Sequence, residues 1–102
     1  MDLAYLTEEV KRIALEAGQY LLTERSNFDR NKIEKKGAHD YVSYVDKNSE
    51  KLIVNKLHAL LPEAGFITEE GTATLKQEDY CWVIDPLDGT SNFIHDNAPF
   101  CV

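Results

Sequence analysis

An apolar, β-rich run, Tyr80-Cys81-Trp82-Val83-Ile84, breaks directly into Asp85-Pro86-Leu87-Asp88-Gly89. No other feature of the chain constrains its fold as tightly. The run has the composition of a strand buried on both faces. Pro86 fixes its own backbone angle, so the chain must turn there, and Gly89 lets it turn again. Two carboxylates three residues apart are therefore expected just beyond a buried strand. Thr90-Ser91-Asn92-Phe93 follows and is expected to begin a helix.

The charge balance points to the same region. The 102 residues carry 18 Asp and Glu against 11 Lys and Arg, a net charge of -7. Residues 1–62 hold ten of each sign, so the surplus lies in residues 63–102. There Lys76 stands against Glu63, Glu69, Glu70, Glu78, Asp79, Asp85, Asp88 and Asp96. A solvated acidic face and a cation site both account for this. An acidic balance argues against a nucleic-acid partner, because phosphate binding needs a basic face. At 43% hydrophobic and 28% charged, the sequence reads as one soluble globular unit, able to bury roughly 65% of its unfolded surface. No apolar stretch reaches the length of a bilayer span, and Met1-Asp2-Leu3 does not open a signal peptide, so no membrane association is expected. Cys81 and Cys101 have neither metal-ligand nor disulfide spacing. They are expected to be reduced, buried small hydrophobes of a cytoplasmic protein.

Leu3, Leu6, Val10, Ile13, Ala14, Ala17 and Leu21 recur at spacings of three and four, which predicts an amphipathic helix of about five turns. Gly18 weakens it slightly. Ser26-Asn27-Phe28-Asp29 is expected to be the loop that ends it. Ile33 to Lys36 and Tyr41 to Val45, around Gly37, suggest a pair of short strands joined by a turn. Asp46 is expected to cap a second helix, with Leu52, Ile53, Leu57, Leu60 and Leu61 on one side. Pro62 and Gly65 should stop that helix, and Phe66-Ile67-Thr68 should form a short strand. Phe100-Cys101-Val102 suggests the start of another apolar strand, and the absence of a stop signal there suggests a truncated chain.

As bare chemistry, Glu69-Glu70 follow one strand candidate, and Asp85 and Asp88 follow another. Carboxylates leaving strand ends are well placed to converge at one sheet edge, and a set of hard oxygen donors suits Mg²⁺. If a helix starts at Thr90, its free N–H groups would face an anion. Blander accounts stand beside this one. Asp-Pro-x-Asp-Gly is on its own a good turn, and Glu-Glu-Gly a good solvated loop. EF-hand spacing, a Walker A lysine loop and a Gly-x-Ser-x-Gly elbow are all absent, so the sequence gives no support to those calcium-binding, nucleotide-hydrolysing or acyl-transfer chemistries.

Asp85-Pro86-Leu87-Asp88-Gly89-Thr90-Ser91-Asn92-Phe93 resembles the D-P-[IL]-D-G-T-x-N-F signature of the inositol monophosphatase family. Seven positions of that signature are fixed, and a chance match at a given site is on the order of one in 10⁹. Lys36-Gly37, Asp40-Tyr41-Val42-Ser43 and Val45-Asp46 resemble a second family segment, K-G-x-x-D-[FLY]-V-T-x-x-D, and Ile67-Thr68-Glu69-Glu70 a third, I-G-E-E. The resemblance runs from the first helix to residue 102. It implies an α+β fold, the layered αβαβα sandwich of sugar phosphatases, with residues 1–102 as its N-terminal portion: two helices packed on a mainly antiparallel sheet.

The resemblance also implies roles. Glu69, Asp85 and the Leu87 carbonyl would hold one Mg²⁺; Asp85 and Asp88 would hold a second. Glu69 and Thr90 would orient and deprotonate the attacking water, and the Gly89 and Thr90 amides would hold the phosphate. Asp46 would lie near a third, weaker metal, although capping alone also explains an Asp there. Lys36 and Glu70 would flank the site, Lys36 at its entrance and Glu70 beside Glu69. The implied reaction is Mg²⁺-dependent hydrolysis of a small phosphate monoester, inositol monophosphate first, by a cytoplasmic, lithium-sensitive homodimer. Fructose 1,6-bisphosphatase or nucleoside bisphosphatase activity, or a non-catalytic regulatory scaffold that binds a protein partner, are the alternatives. Thr68 replaces the family's usual Gly, and Pro99 falls one residue later than is common. A later metal-binding Asp of the family lies outside these 102 residues, so the fragment alone is expected to be inactive.

Overall fold

A computed structural model describes residues 2–27, 38–70, 79–94 and 100–102. In chain order it contains α1 (Leu3–Asn27), α2 (Ala38–Leu60), β1 (Gly65–Thr68), β2 (Cys81–Ile84) and a short α3 (Thr90–Ile94).

Helix α1 follows the predicted stripe. Ile13, Ala17 and Leu21 are buried and Val10 packs against the same core, while Leu3 at the open end is 68% exposed. The helix continues through Ser26 and Asn27, where a loop was expected. Tertiary contacts account for the extra turn. The Tyr41 hydroxyl donates to the Glu24 carbonyl and carboxylate, and the Arg25 guanidinium stacks over the Phe100 ring at 5.1 Å.

Helix α2 corrects two expectations. Tyr41 to Val45 is helical, not a strand, and Asp46 lies inside the helix rather than at its cap. Val42, Val45, Ser49, Ile53 and Leu57 are all buried, at spacings of three and four, which is a helical face. The Ile33–Lys36 segment lies outside the described residues. The helix ends at Leu60, just before Pro62, as expected. Lys56 on α2 meets Glu16 on α1 at 2.9 Å.

The two strands pair parallel, with Gly65 opposite Cys81 and Thr68 opposite Ile84. This corrects the mainly antiparallel sheet expected from the sequence. The only antiparallel pairing among the described residues is the isolated bridge of Asp88 with Cys101, closed by backbone bonds of 2.7 and 2.9 Å. β2 is not buried on both faces either. Ile84 is buried and Trp82 half-buried against the helices, but Cys81 is exposed and Val83 is 77% exposed. Both cysteines are exposed free thiols, against the expectation of burial.

Among the described residues, two clusters make up the core. Ile13, Ala17, Ile53, Leu57, Phe66 and Ile84 join both helices to both strands. Leu21, Val42, Val45, Leu87 and Phe93 join the helices to the turn after β2 and to α3. The second cluster positions the site, because it anchors the Pro86-Leu87 segment. Both of those residues are buried, while Asp85 and Asp88 on either side are exposed.

Candidate functional site

The parallel register decides where the carboxylates go. With Thr68 opposite Ile84, the next residues, Glu69 and Asp85, leave adjacent strands from the same end. Loops at the C-terminal ends of parallel strands are where α/β sheets bind ligands. The charge of Asp85, with a hydrogen bond between the two side chains, raises the proton affinity of Glu69, and the charges of Glu70 and Asp88 add to it.

Beyond Asp85 the chain makes a compact turn. The Leu87 amide donates to Asp85 Oδ1 at 3.2 Å, and the Thr90 hydroxyl donates to the Leu87 carbonyl at 3.4 Å. Gly89 has φ of 86°, in the left-handed region where a side chain would be strained. Its carbonyl accepts from the Phe93 amide at 3.0 Å, closing the first turn of α3. Phe93 is 1% exposed and meets Phe100 edge-on at 5.3 Å between ring centres. The signature segment therefore combines apolar anchors with exposed polar groups.

Asp46 approaches from α2. It is only 9% exposed, and its Oδ1 is buried without a hydrogen-bond partner. Burial pushes its carboxyl up to about 7, and the charges of Glu70, Asp85, Glu69 and Glu50 push in the same direction. An orphaned carboxylate oxygen facing further carboxylates is an environment a divalent cation would relieve, and hard oxygen donors fit Mg²⁺. Among the described residues, no three carboxylate, histidine or cysteine side chains stand as a finished ligand set around one point. The carboxylates share a field without three of them converging on one point.

The structure thus brings Asp46, Glu69, Glu70 and Asp85 within electrostatic reach of one another, with Asp88 reaching Glu69. The Thr90 hydroxyl is tied into the same turn. Lys36, predicted at the entrance, lies outside the described residues.

Two residues that sequence reasoning did not single out are tied to this site. The Ser49 hydroxyl donates to the Pro86 carbonyl at 2.9 Å, and Glu50 Oε1 accepts from the Glu70 amide at 2.7 Å. Both are completely buried. The available signal was their spacing. They stand three and four residues after Asp46, on the face that continues as Ile53 and Leu57, where polar side chains need partners.

A cleft of about 170 Å³ lined by Val10, Ile13, Trp82, Val83, Asp85 and Val102 reaches the edge of the site. A larger apolar cavity of about 350 Å³, among Leu3, Leu6, Val10, Leu61, Tyr80 and Trp82, has no carboxylate in its lining.

A parallel strand pair thus delivers acidic residues to one sheet edge, followed by a Pro-stiffened acidic turn into a short helix. The family profile described as "Inositol monophosphatase family" matches residues 2–102, and the chain belongs to that family. It is 37% identical over 92 residues to a putative Nus factor SuhB of Neisseria meningitidis, covering 89% of this chain and 35% of that protein. It is 40% identical over 95 residues to a fructose-1,6-bisphosphatase/inositol-1-monophosphatase of Aquifex aeolicus, covering 93% of this chain and 36% of that one. Among solved structures, the extragenic suppressor protein suhB of Bartonella henselae superposes with a TM-score of 0.74 at 30% identity, over 94% of this chain and 36% of that chain. The chain spans about a third of the length of the curated relatives it matches.

Proposed function

We propose that this protein is a Mg²⁺-dependent phosphatase of small phosphate monoesters, with inositol monophosphate as the first candidate substrate. The observation that carries the reading is the parallel register of Thr68 with Ile84, which sets Glu69 beside Asp85 at one end of the sheet. Membership of the inositol monophosphatase family and the orphaned Oδ1 of Asp46 support it.

Glu69, Asp85 and the Leu87 carbonyl would hold one ion, Asp85 and Asp88 a second, and Asp46 a third, weaker one. Bound Mg²⁺ supplies Lewis acidity, lowering the pKa of a ligated water towards neutrality and offsetting phosphoryl charge. Glu69 accepts the proton of the attacking water, a role suited to a carboxylate whose proton affinity is raised by Asp85. The Thr90 hydroxyl, whose proton is directed at the Leu87 carbonyl, presents its lone pairs to the same water and orients it. The Gly89 and Thr90 amides hold the phosphate oxygens, and the left-handed Gly89 allows the backbone to approach them closely. Glu70 holds its position beside Glu69, and Lys36, by the family resemblance, would attract the anionic substrate.

A second reading is favoured by the relatives named Nus factor SuhB, in Neisseria meningitidis and Vibrio cholerae among others: a binding role independent of catalysis. Homodimerisation, lithium inhibition and a cytoplasmic location belong to the catalytic reading as expectations. Among the described residues no helix is long and apolar enough to cross a membrane. The deciding experiment is phosphate release by the intact protein with Mg²⁺, compared on inositol 1-phosphate, fructose 1,6-bisphosphate and a nucleoside bisphosphate. The reading predicts turnover of the first that is lost in Asp85→Asn. No turnover of any substrate, or turnover unchanged in that variant, removes it.

A further inference from the structure

We infer that Ser49 and Glu50 are positioning residues, a two-residue clamp on α2 that sets the spacing of the two carboxylate-bearing loops. The inference rests on the metal role proposed for Glu69 and Asp85.

Each half of the clamp grips the peptide unit next to a proposed ligand. Glu50 Oε1 accepts from the Glu70 amide at 2.7 Å, and that amide belongs to the Glu69–Glu70 peptide. Ser49 Oγ donates to the Pro86 carbonyl at 2.9 Å. The same peptide unit ends in the Leu87 N–H, which donates to Asp85 Oδ1 at 3.2 Å. Ser49 thus acts on the Asp85 carboxylate through one rigid, planar amide. Because the two grips come from consecutive residues of one helix, both loops are held to a common support. The strand register aligns the loops along the sheet, and the clamp fixes them towards α2.

Burial argues that these contacts are more than incidental. Both residues have no exposed surface, and burying a carboxyl side chain is costly unless its oxygens are bonded. An apolar residue would continue the stripe of Val42, Val45 and Ile53 at less cost, but it has no atom with which to hold either loop. Outer partners of this kind change metal affinity by about 10- to 100-fold when removed, because the ligands lose their preset orientation.

The test uses Ser49→Ala, Glu50→Ala and Glu50→Gln in the intact protein, with two readouts: amide hydrogen exchange without metal, and Mg²⁺ affinity by calorimetry. Glu50→Gln keeps an oxygen that can accept the Glu70 amide, so it should stay within about threefold of wild type in both. Glu50→Ala should speed exchange at Glu70, and Ser49→Ala at Leu87, by about tenfold. Both should weaken Mg²⁺ by about tenfold or more. If Glu50→Ala does not fold, Ser49→Ala must still weaken Mg²⁺ and Glu50→Gln must not. Unchanged exchange at Glu70 and Leu87, unchanged Mg²⁺ affinity in the alanine variants, or a Glu50→Gln as weak as Glu50→Ala, each overturns the clamp while wild-type binding leaves the proposed function standing. A wild-type protein that takes up no Mg²⁺ removes the proposed function and the clamp's purpose together.

Discussion

Replacing Asp46 with Asn should stabilise the metal-free protein, by an amount that grows as pH rises from about 4 to about 7 and is full above that. Asp46 is buried, its Oδ1 has no partner, and its carboxyl is pushed from an ordinary 3.8 up to about 7 by burial and by the facing Glu70, Asp85, Glu69 and Glu50. The sign follows from proton binding. Below pH 3.8 the group is protonated in both folded and unfolded chains and has no effect. Between 3.8 and about 7 the folded protein keeps a proton that the unfolded chain has released, so stability falls as pH rises. Above about 7 the full penalty remains. The shift corresponds to a ceiling of about 4 kcal/mol. Solvent beside the exposed Glu69 and Asp85 screens part of the repulsion, and about 2 kcal/mol is a fair expectation. Asn keeps the shape, removes the charge and adds N–H donors for the neighbouring carboxylates. Thermal unfolding in a chelator should then show Asp46→Asn melting roughly 10 °C above wild type at pH 8 and within a few degrees at pH 4. Adding Mg²⁺ should raise both, and the wild type more, because only there does it also relieve the buried Asp46 charge. A variant that is less stable than wild type by the same amount at both pH values would refute the reasoning, because it would show Asp46 to be satisfied where it lies.

Three further outcomes follow from the packing around the signature turn. Phe93→Ala should cost about 3–5 kcal/mol in urea unfolding, since it empties a fully enclosed ring site beside Phe100. Gly89→Ala places a side chain at φ of 86° and should cost about 1–2 kcal/mol, read by the same method. Tyr41→Phe removes the hydroxyl bonded to Glu24 and should cost about 1 kcal/mol, with faster amide exchange in the last turn of α1.

Much of this architecture was legible because one residue pattern had one physical solution. The stripe from Leu3 to Leu21 is a helix, and the stop at Pro62 and the short strand before Glu69 were equally readable. The reading failed at Tyr41 to Val45, whose aromatic and β-branched composition suits a strand. The fold uses its spacing of three, from Val42 to Val45, to bury one side of a helix. Asp46 consequently moved from a cap to the helix interior, which gives it a more demanding environment than a cap would. Strand direction was not readable, because β1 and β2 are too short for their own sequences to choose a parallel or antiparallel partner. The acidic residues of the site were identified by their resemblance to a family signature and by the concentration of charge after residue 62. Ser49 and Glu50 were passed over because a polar pair on a helix usually faces solvent, and only tertiary structure shows the loops they hold.

Under the proposed function, Glu69 and Asp85, set side by side by the parallel register, would bind Mg²⁺ together. The most direct measurement is calorimetric titration of Mg²⁺ into the intact protein, into Glu69→Gln and into Asp85→Asn. Saturable binding is expected for the wild type and its loss in each variant, with unfolding showing both variants still folded. Wild-type protein that binds no Mg²⁺, or variants that bind it as tightly as wild type, would show that Glu69 and Asp85 do not form a metal site.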